Sequence, residues 1–478
     1  MAVSRLNKLG PKSSTLKYDR NSITLGVLHI GPGAFHRAHQ AVYFDDLLAR
    51  DPGWGIHAVS MRSETLKQRL SPQDGLYTLA VLDREVSYQL VGSLLKISTA
   101  EDGAWKDSFL SEDLKLITLT VTEKGYCLDS RGHLNFDNSD IIADLSDGSR
   151  PKSVIGMLTY GLQIRYAENL PPPIIISCDN LPENGVKLKN AVVTFSARID
   201  RNLSKWIESS VAFPCSMVDA ITPATDEKLI AQVEKDVGFA DAWPVQREVY
   251  SDWIIEQTGE NDLSVLQDLG VTITSNLENF EQAKLRLLNG AHSCLTYIGL
   301  ARGYDTVYDA MNDSEVNSKI QSLLRREIKP VLKSTKDLDL DLYVENLLNR
   351  FSNPAISHFL SQIAWDGSIK LPIRILETLF ENLKVGRPSP ILFLGVAAWM
   401  RFIRRSVRAE KPIVDPESIR LIRIGHECCD KGHVDVQKFL SMDFVFSAQL
   451  VGHPNIESEL VKGYDHIMRM EEQFGVTV

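Results

Sequence analysis

A buried-type strand that leads straight into a glycine turn and a helix constrains the N-terminal half of this chain more than any other feature. The strand is NSITLGVLHI, the turn is GPG, and AHQAVYFDDLLARD follows with helical spacing. Further strand patterns alternate with helical ones in the segments GIHAVSM, YTLAVLD, VSYQLVGSLLKIS, LKLITLTVT and IIIS. Such alternation predicts an α/β fold with a doubly wound, parallel sheet.

The glycine turn itself, Gly31 to His36, has part of the pattern of a dinucleotide-binding loop. Gly31 permits a tight turn, and Gly33 removes a side chain where the backbone must approach a pyrophosphate. His36 stands where such a loop normally has its third glycine, which predicts a looser contact between helix and strand. The alternative is that both glycines simply end a strand for structural reasons.

The spacing of apolar residues changes to a helical period in the second half of the chain, from about Asn279 onward. It is helical in segments such as AKLRLLNGAHSCLTYIGLARG and IRILETLFENLKV. We therefore predict two domains. Residues 1–275 form a dinucleotide-binding domain of the Rossmann type, and residues 276–478 form a mostly α-helical substrate and catalytic domain.

Composition argues against several classes of protein. The formal net charge is −10 and the pI is about 5.6, whereas nucleic-acid binders usually present a basic surface. The longest apolar run, PILFLGVAAWM, is too short to cross a bilayer, and the N-terminus lacks the apolar core of a signal peptide. Six scattered cysteines without zinc-ligand spacing indicate reduced thiols and no metal. We expect a cytoplasmic monomer or small homo-oligomer that acts on a small molecule.

The residue that would bind the adenosine ribose is expected after the second strand, in VSMRSETLK. Glu64 is the carboxylate there; it could accept hydrogen bonds from the ribose hydroxyls and would repel a 2′-phosphate, which favours NAD(H). Arg62 is an opposing signal, because an arginine can hold a 2′-phosphate. Glu64 could also be an ordinary surface residue of a loop.

The segment KLRLLNGAHS carries the groups that metal-free alcohol oxidation needs. At about 100° per residue, His292 lies some 80° and Asn289 about 140° round the helix from Lys284. A lysine among apolar residues can act as a base, while amide and imidazole groups can donate to an oxygen that gains negative charge. The alternative is an amphipathic helix with one exposed lysine.

Three further polar residues follow predicted strands, where α/β sheets bind their ligands. Asn180 lies in SCDNLPENG, Glu123 in VTEKGYC and Asp219 in FPCSMVDAITP. Asn180 could offer its amide to a substrate, although Asp, Asn, Pro and Gly also make ordinary turns. Either carboxylate could be a cofactor contact, part of a proton relay or a plain loop acid.

Together these motifs resemble the polyol-specific long-chain dehydrogenases/reductases, the mannitol dehydrogenase family. GxGxFHRAHQ, TEKGYC, SCDNLPENG, MVDxITP, KLRLLNGxHS, RFSNPAI and DGSxKLP occur in this order between about residues 25 and 400. The resemblance implies an N-terminal Rossmann-type domain, a helical C-terminal domain and metal-independent NAD(H) chemistry. It also places His36 within the family's own pattern. A non-catalytic nucleotide sensor is the opposing hypothesis, and the retained Lys284 set argues against it.

The resemblance also implies roles for individual residues. Lys284 would be the general base, and Asn180, Asn289 and His292 would hold the reacting oxygen. The residues that would contact the cofactor are Gly31, Gly33, Ala34 and Phe35 at the pyrophosphate, Glu64 with Arg62 near the ribose, and Glu123 and Asp219 near the nicotinamide.

Within the family, TEKGYC, RFSNPAISH and QIAWDGSIKLPIRIL are most similar to the fructuronate reductases, which interconvert a keto-hexuronate and an aldonate. Lys370, Arg350 or Arg374 could bind the substrate carboxylate. Mannitol 2-dehydrogenase or a related polyol dehydrogenase (fructose/mannitol, arabinitol) is the alternative. Two positions depart from the family pattern: Ala220 stands where arginine is usual, and Glu64-Thr65 has one carboxylate where the family has two.

Overall fold

The computed structural model describes residues 16–259, 263–356 and 358–476. The chain divides into two compact units, the first ending at Leu277 and the second beginning at Glu278. Each unit is described by itself. Across the described ranges, every helix is either too short or too polar to span a membrane.

The first unit is built on a five-stranded sheet in the order β5-β2-β1-β6-β7, and all its strands run parallel. A three-stranded sheet of β4-β3-β9 and another of β11-β10-β8 accompany it. The strands are β1 (Leu25–Ile30), β2 (Gly55–Ser60), β3 (Tyr77–Leu82), β4 (Ser87–Val91), β5 (Leu94–Thr99), β6 (Leu116–Leu119), β7 (Ile174–Ser177), β8 (Ser216–Asp219), β9 (Val245–Glu248), β10 (Asp252–Glu256) and β11 (Thr272–Thr274).

Helices cover both faces of the five-stranded sheet. Successive residues of a strand point to opposite faces, and β1 carries buried apolar residues on both. Val27 of β1 joins a core with Phe44 and Trp253, whereas Leu28 joins a second core with Phe109 and Leu158. The α-helices of this unit are α1 (Ala34–Ala38), α2 (Gln40–Leu47), α3 (Thr65–Leu70), α4 (Trp105–Leu110), α5 (Ser139–Ser146), α6 (Val154–Ala167), α7 (Asn184–Ile199), α8 (Arg201–Ser210) and α9 (Glu227–Val237). The predicted doubly wound α/β fold is confirmed.

Two details of the first unit differ from the sequence-based prediction. The helical segment after the glycine turn is not one continuous helix, because His39 has non-helical angles (φ −124°, ψ −93°) and separates α1 from α2. A ring nitrogen of His39 instead contacts the carbonyl of Asp252 at 2.9 Å. The segment VSYQLVGSLLKIS contains two strands, of which β5 pairs with β2 in the main sheet.

The second unit is mostly helical, as predicted. Its long apolar helix, α18 (Pro390–Arg408), contains PILFLGVAAWM and packs against α11 (Ala291–Ala301) and α22 (Ile456–Gln473). The helices are α10 (Leu277–Ala283), which begins at the boundary, α11 (Ala291–Ala301), α12 (Val307–Asn312), α13 (Ser314–Ser322), α14 (Leu340–Phe351), α15 (Leu360–Ile363), α16 (Gly367–Leu371), α17 (Glu377–Lys384), α18 (Pro390–Arg408), α19 (Ser418–Glu427), α20 (Gly432–Leu440), α21 (Ala448–Val451) and α22 (Ile456–Gln473). Lys284–Gly290, Leu323–Ile328 and Pro372–Leu376 are π-helical.

Candidate active site

The glycine turn lies at the point where the strand order of the main sheet reverses, between β1 and β6. Ligands of doubly wound sheets bind at this point, beyond the carboxyl ends of the strands. Gly31 has a φ of +87°, and a Cβ there would stand 2.4 Å from the carbonyl oxygen of Thr120. A Cβ on Gly33 would meet nothing closer than 3.9 Å. Gly31 is therefore required by the fold, whereas Gly33 leaves open space for a ligand.

A cavity of about 450 Å³ opens beside this turn. Its lining includes Gly31, Gly33 and Arg62, but not Glu64. Glu64 is exposed at the start of α3, and its carboxylate accepts a hydrogen bond from Gln68 at 3.1 Å. Polar lining residues that the sequence analysis did not name individually are Ser60, Ser63, Thr122, Lys124, Cys127, Asp140, Lys152 and Ser153. Asp140, Lys152 and Ser153 lie in segments that no quoted motif covers.

The loop after β6 is held in an unusual conformation at the cavity. Thr122 has φ +66° and ψ 165°, a region that side chains rarely adopt. The Asp179 carboxylate holds it there by accepting hydrogen bonds from the Val121 and Thr122 amides at 3.1 and 2.9 Å and from the Tyr126 hydroxyl at 2.7 Å. Asp179 is a positioning residue that sequence reasoning missed, although it precedes the predicted Asn180.

The other predicted residues of the first unit have different surroundings. Ala34 and Phe35 form the first turn of α1. Glu123 is exposed at the start of a short 3-10 helix, next to the lining residue Thr122. Asn180 is exposed just beyond β7, and Asp219 is buried at the end of β8 in a different sheet.

His36 stands where a third glycine would be expected, and its side chain packs against β1. Its ring is buried and stacks on the ring of His29, with centroids 3.2 Å apart and planes 10° from parallel. The contact predicted to be loose is therefore a close ring stack. Arg37 is also buried in this unit; it donates to the Trp243 carbonyl at 2.6 Å and lies over the Trp243 ring, which lines the cavity.

Buried histidines of this unit predict a loss of stability in acid. Burial lowers the pKa of His29 and of His57 to about 3, against about 6.5 in an unfolded chain. Between these values the unfolded chain binds protons that the folded chain does not, so stability falls as the pH decreases from about 6.5 toward 3, by up to ~1.4 kcal/mol per pH unit and histidine.

We expect His57→Gln to take up about one proton fewer on unfolding between pH 6 and pH 4, in urea titrations at several pH values. His433→Gln, which replaces an exposed imidazole, serves as the control. Its free energy of unfolding should change with pH as steeply as that of the wild type. The prediction would be contradicted if the free energy of unfolding changed equally with pH in the wild type and in His57→Gln.

In the second unit, the segment that carries Lys284 and Asn289 is a π-helix rather than the predicted α-helix. A π-helix bonds each amide to the carbonyl five residues earlier, so residues five apart lie nearer to one another round the helix axis than they do in an α-helix. The 140° separation predicted for Lys284 and Asn289 is therefore wrong, and their side chains leave the helix on closer sides. His292 follows in the first turn of α11, and Lys284 is half-buried.

This π-helix packs directly on a second one, Pro372–Leu376. A Cβ on Gly290 would stand 2.7 Å from the carbonyl oxygen of Arg374, so glycine is needed for the close approach. The Arg286 guanidinium adds two hydrogen bonds to the Glu381 carboxylate, at 2.6 and 2.8 Å. These contacts fix the Lys284 segment against the segment that carries Arg374.

His292 is the centre of a cluster of predicted residues. Its Nε2 atom is buried and has no hydrogen-bond partner within the described residues, and its ring stacks on Phe351 with centroids 5.2 Å apart. Burial, and then His358, Arg374, Arg350 and Lys370, hold its pKa well below the usual range. His292 is therefore a neutral imidazole that presents one unsatisfied nitrogen. His358, 4.7 Å from it between centroids, lies just after the RFSNPAI motif and was not predicted.

The predicted substrate cations differ in how they are held. Arg350 is buried near the end of α14. The Lys370 ammonium donates to the Trp365 carbonyl at 2.6 Å and lies 3.8 Å from the Asp366 carboxylate. Burial, and then Arg374, lower the pKa of Lys370. The Nε atom of Arg374 is buried without a partner among the described residues.

Asp415 anchors the helix that carries Lys370. Its carboxylate accepts hydrogen bonds from the Ser368 amide at 2.9 Å and the Ser368 hydroxyl at 2.5 Å.

Among the side chains that the structure describes, no group of three or more His, Cys, Asp or Glu residues is arranged to hold a metal ion.

Family comparison agrees with both units. The model of the mannitol dehydrogenase Rossmann domain matches residues 25–265, and the model of the mannitol dehydrogenase C-terminal domain matches residues 276–468. The chain belongs to the mannitol dehydrogenase family. The enzymes of this family are secondary-alcohol oxidoreductases that use NAD.

Individual relatives cover nearly the whole chain. The D-mannonate oxidoreductase of Escherichia coli (strain K12) is 33% identical over 461 residues, 94% of each chain. The structure of Pseudomonas fluorescens mannitol 2-dehydrogenase, a ternary complex with NAD and D-mannitol, is 32% identical, covers 98% of both chains and has a TM-score of 0.76. A substrate-free D-sorbitol dehydrogenase is 25% identical, covers 99% of this chain and 100% of its own, and has a TM-score of 0.89.

Proposed function

We propose that this family member is an NAD-dependent oxidoreductase that interconverts a keto-hexuronate and an aldonate, as a fructuronate reductase does. The observation that carries the proposal is the set of three cations, Arg350, Arg374 and Lys370, whose charges act on the buried imidazole of His292. A substrate carboxylate would offset that concentration of positive charge. Similarity to a D-mannonate oxidoreductase over 94% of both chains supports the same substrate class.

The first unit fits a dinucleotide. The turn at Gly31, the open space at Gly33 and the adjoining cavity lie at the switch point of the sheet. In the proposal, Gly31, Gly33, Ala34 and Phe35 hold the pyrophosphate. The ribose lies near Arg62 and Glu64, and Glu123 and Asp219 lie toward the nicotinamide. When bound, NAD(H) supplies the hydride acceptor or donor.

The second unit supplies the proton chemistry. Lys284 takes the proton from the substrate hydroxyl during oxidation and returns it to the oxygen during reduction. The neutral His292 donates from its unsatisfied nitrogen to that oxygen, with the Asn289 amide as a further donor. The family resemblance implies the same role for Asn180, which belongs to the first unit. Because His292 remains uncharged, Lys284 is the group whose protonation state changes.

Mannitol 2-dehydrogenase activity is the second candidate, favoured by the similarity to the mannitol 2-dehydrogenase structure across 98% of both chains. A panel of keto-hexuronates, ketoses, aldonates and polyols, measured with NADH or NAD at the nicotinamide absorbance band, separates the two. We expect kcat/KM for fructuronate to exceed that for fructose at least ~100-fold, since a buried charge pair contributes several kcal/mol. Faster reduction of fructose would refute the uronate assignment.

A further inference from the structure

We propose that Asp140 sets the preference of this enzyme for NAD over NADP by neutralising Arg62 at the ribose end of the cofactor cavity. The inference rests on the proposed nucleotide site of the first unit and names a specificity-determining pair within it. Asp140 lies in a segment far from β2 in sequence, so neither the glycine turn nor the residues after β2 point to it.

The position of Arg62 makes it the natural receptor for a 2′-phosphate. It follows β2, the strand that pairs with β1, and it lines the same cavity as Gly31 and Gly33. In doubly wound folds the ribose hydroxyls lie at this strand end, and an arginine there accommodates the 2′-phosphate of NADP. Arg62 alone would therefore favour NADP.

Asp140 opposes that preference. Its carboxylate accepts a hydrogen bond from the Arg62 guanidinium at 2.5 Å, and both residues line the cavity. It is held in the first turn of α5, where the Asn138 side chain accepts a hydrogen bond from the Asp140 amide at 2.9 Å. The negative end of the pair thus lies in the cavity itself, where it repels a phosphate and occupies the arginine that would bind one.

Other charged residues of the cavity do not replace Asp140. The remaining lining charges are Lys124 and Lys152, both cations, and Lys152 lies 3.2 Å from Glu101. Glu64 is not among the lining residues, and its carboxylate accepts a hydrogen bond from the Gln68 amide. Asp140 is the carboxylate in this lining, and its removal leaves three cations there.

The charge of Asp140 also acts on its neighbours in the cavity. Burial first, and then the carboxylates of Asp140 and Asp144, raise the pKa of the Cys127 thiol to about 11. Arg62 acts on the same thiol in the opposite direction. A 2′-phosphate at this end of the cavity would experience the same two opposed charges.

The test measures nucleotide binding without any sugar substrate. Calorimetric titration of the full chain with 5′-AMP and with 2′,5′-ADP isolates the contribution of the 2′-phosphate. For Asp140→Asn we expect the affinity for 2′,5′-ADP relative to 5′-AMP to rise about tenfold, the effect of freeing one exposed arginine and removing one repulsive charge. The ratio of the NADPH dissociation constant to the NADH dissociation constant should fall by the same factor.

Two further variants serve as controls. Asp137→Asn makes the same charge change at an exposed residue that does not line the cavity, and it should keep the wild-type ratio. In Asp140→Asn combined with Arg62→Ala, the gain for 2′,5′-ADP should disappear. An equal change for both nucleotides, or the same change in Asp137→Asn, would overturn the inference.

The result is distinguishable from a failure of the proposed function. If the wild type binds 5′-AMP and NADH but reduces no keto-hexuronate, the substrate assignment fails and the role of Asp140 can still be measured. If it reduces the keto-hexuronate with NADH and Asp140→Asn leaves the nucleotide ratio unchanged, the role of Asp140 fails alone.

Discussion

Lys284→Ala is expected to lower the turnover number at least ~10³-fold, within the range of general acid–base catalysis, and to leave the binding of NADH nearly intact. The reason is that burial and then its cationic neighbours hold the pKa of His292 well below the usual range, so its imidazole accepts a proton too weakly to take over as the base. Steady-state rates at several pH values, together with NADH titration by fluorescence, separate the loss of chemistry from a loss of binding.

Small primary amines provide a second readout for this variant. If the missing group is a base, added methylamine should restore part of the turnover of Lys284→Ala, and the restored rate should rise with pH as more free amine forms. Lys333→Ala, at an exposed lysine, is the matched control and should retain wild-type turnover without amine dependence. Near-normal turnover of Lys284→Ala would remove Lys284 from the mechanism.

Arg374→Gln has the second largest expected effect. If Arg374 binds the substrate carboxylate, kcat/KM for fructuronate should fall ~100-fold, equivalent to about 2.7 kcal/mol. The reason is that the substrate carboxylate would be partly buried without the guanidinium as its partner. The value for a neutral ketose should change little. The outcome is measured as the ratio of kcat/KM for the two substrates.

A control variant separates this role from a structural one. The Arg374 main chain contacts Gly290, and a glutamine keeps that backbone in place. Arg326→Gln, at an exposed arginine of another π-helix, makes the same chemical change and should leave both substrates unaffected. An equal loss for fructuronate and the ketose in Arg374→Gln would show that the side chain does not discriminate between them.

The sequence was sufficient for features that depend on local pattern. Continuous apolar runs predicted the parallel strands, because a strand buried on both faces needs no alternation. Gly31 was recognised because it lies between an apolar strand and a helix, where a tight turn is needed; in the structure a Cβ there would stand 2.4 Å from the Thr120 carbonyl oxygen. The helical period of the second half likewise predicted its fold.

Features that depend on distant partners could not be predicted in the same way. The widened turn at Lys284–Gly290 accompanies contacts with Arg374 and with Glu381, which is 95 residues from Arg286. The apolar spacing of KLRLLNG fits either helix type. Asp140 reaches Arg62 across 78 residues, and the His29 ring that receives His36 belongs to a strand, where nothing in the sequence marks it as a stacking partner.

The π-helix at Lys284–Gly290 makes the chemistry of the second unit sensitive to length as well as to residue type. A wide turn is in effect an α-helix with one residue inserted, so a single deletion there would let the segment close to ordinary geometry. The residues before the deletion would then rotate by about 100° relative to α11. Lys284 would leave the side of the helix that it shares with Asn289, although no functional side chain had been replaced. A one-residue insertion or deletion in this segment can therefore change the geometry of the site without replacing any of its side chains.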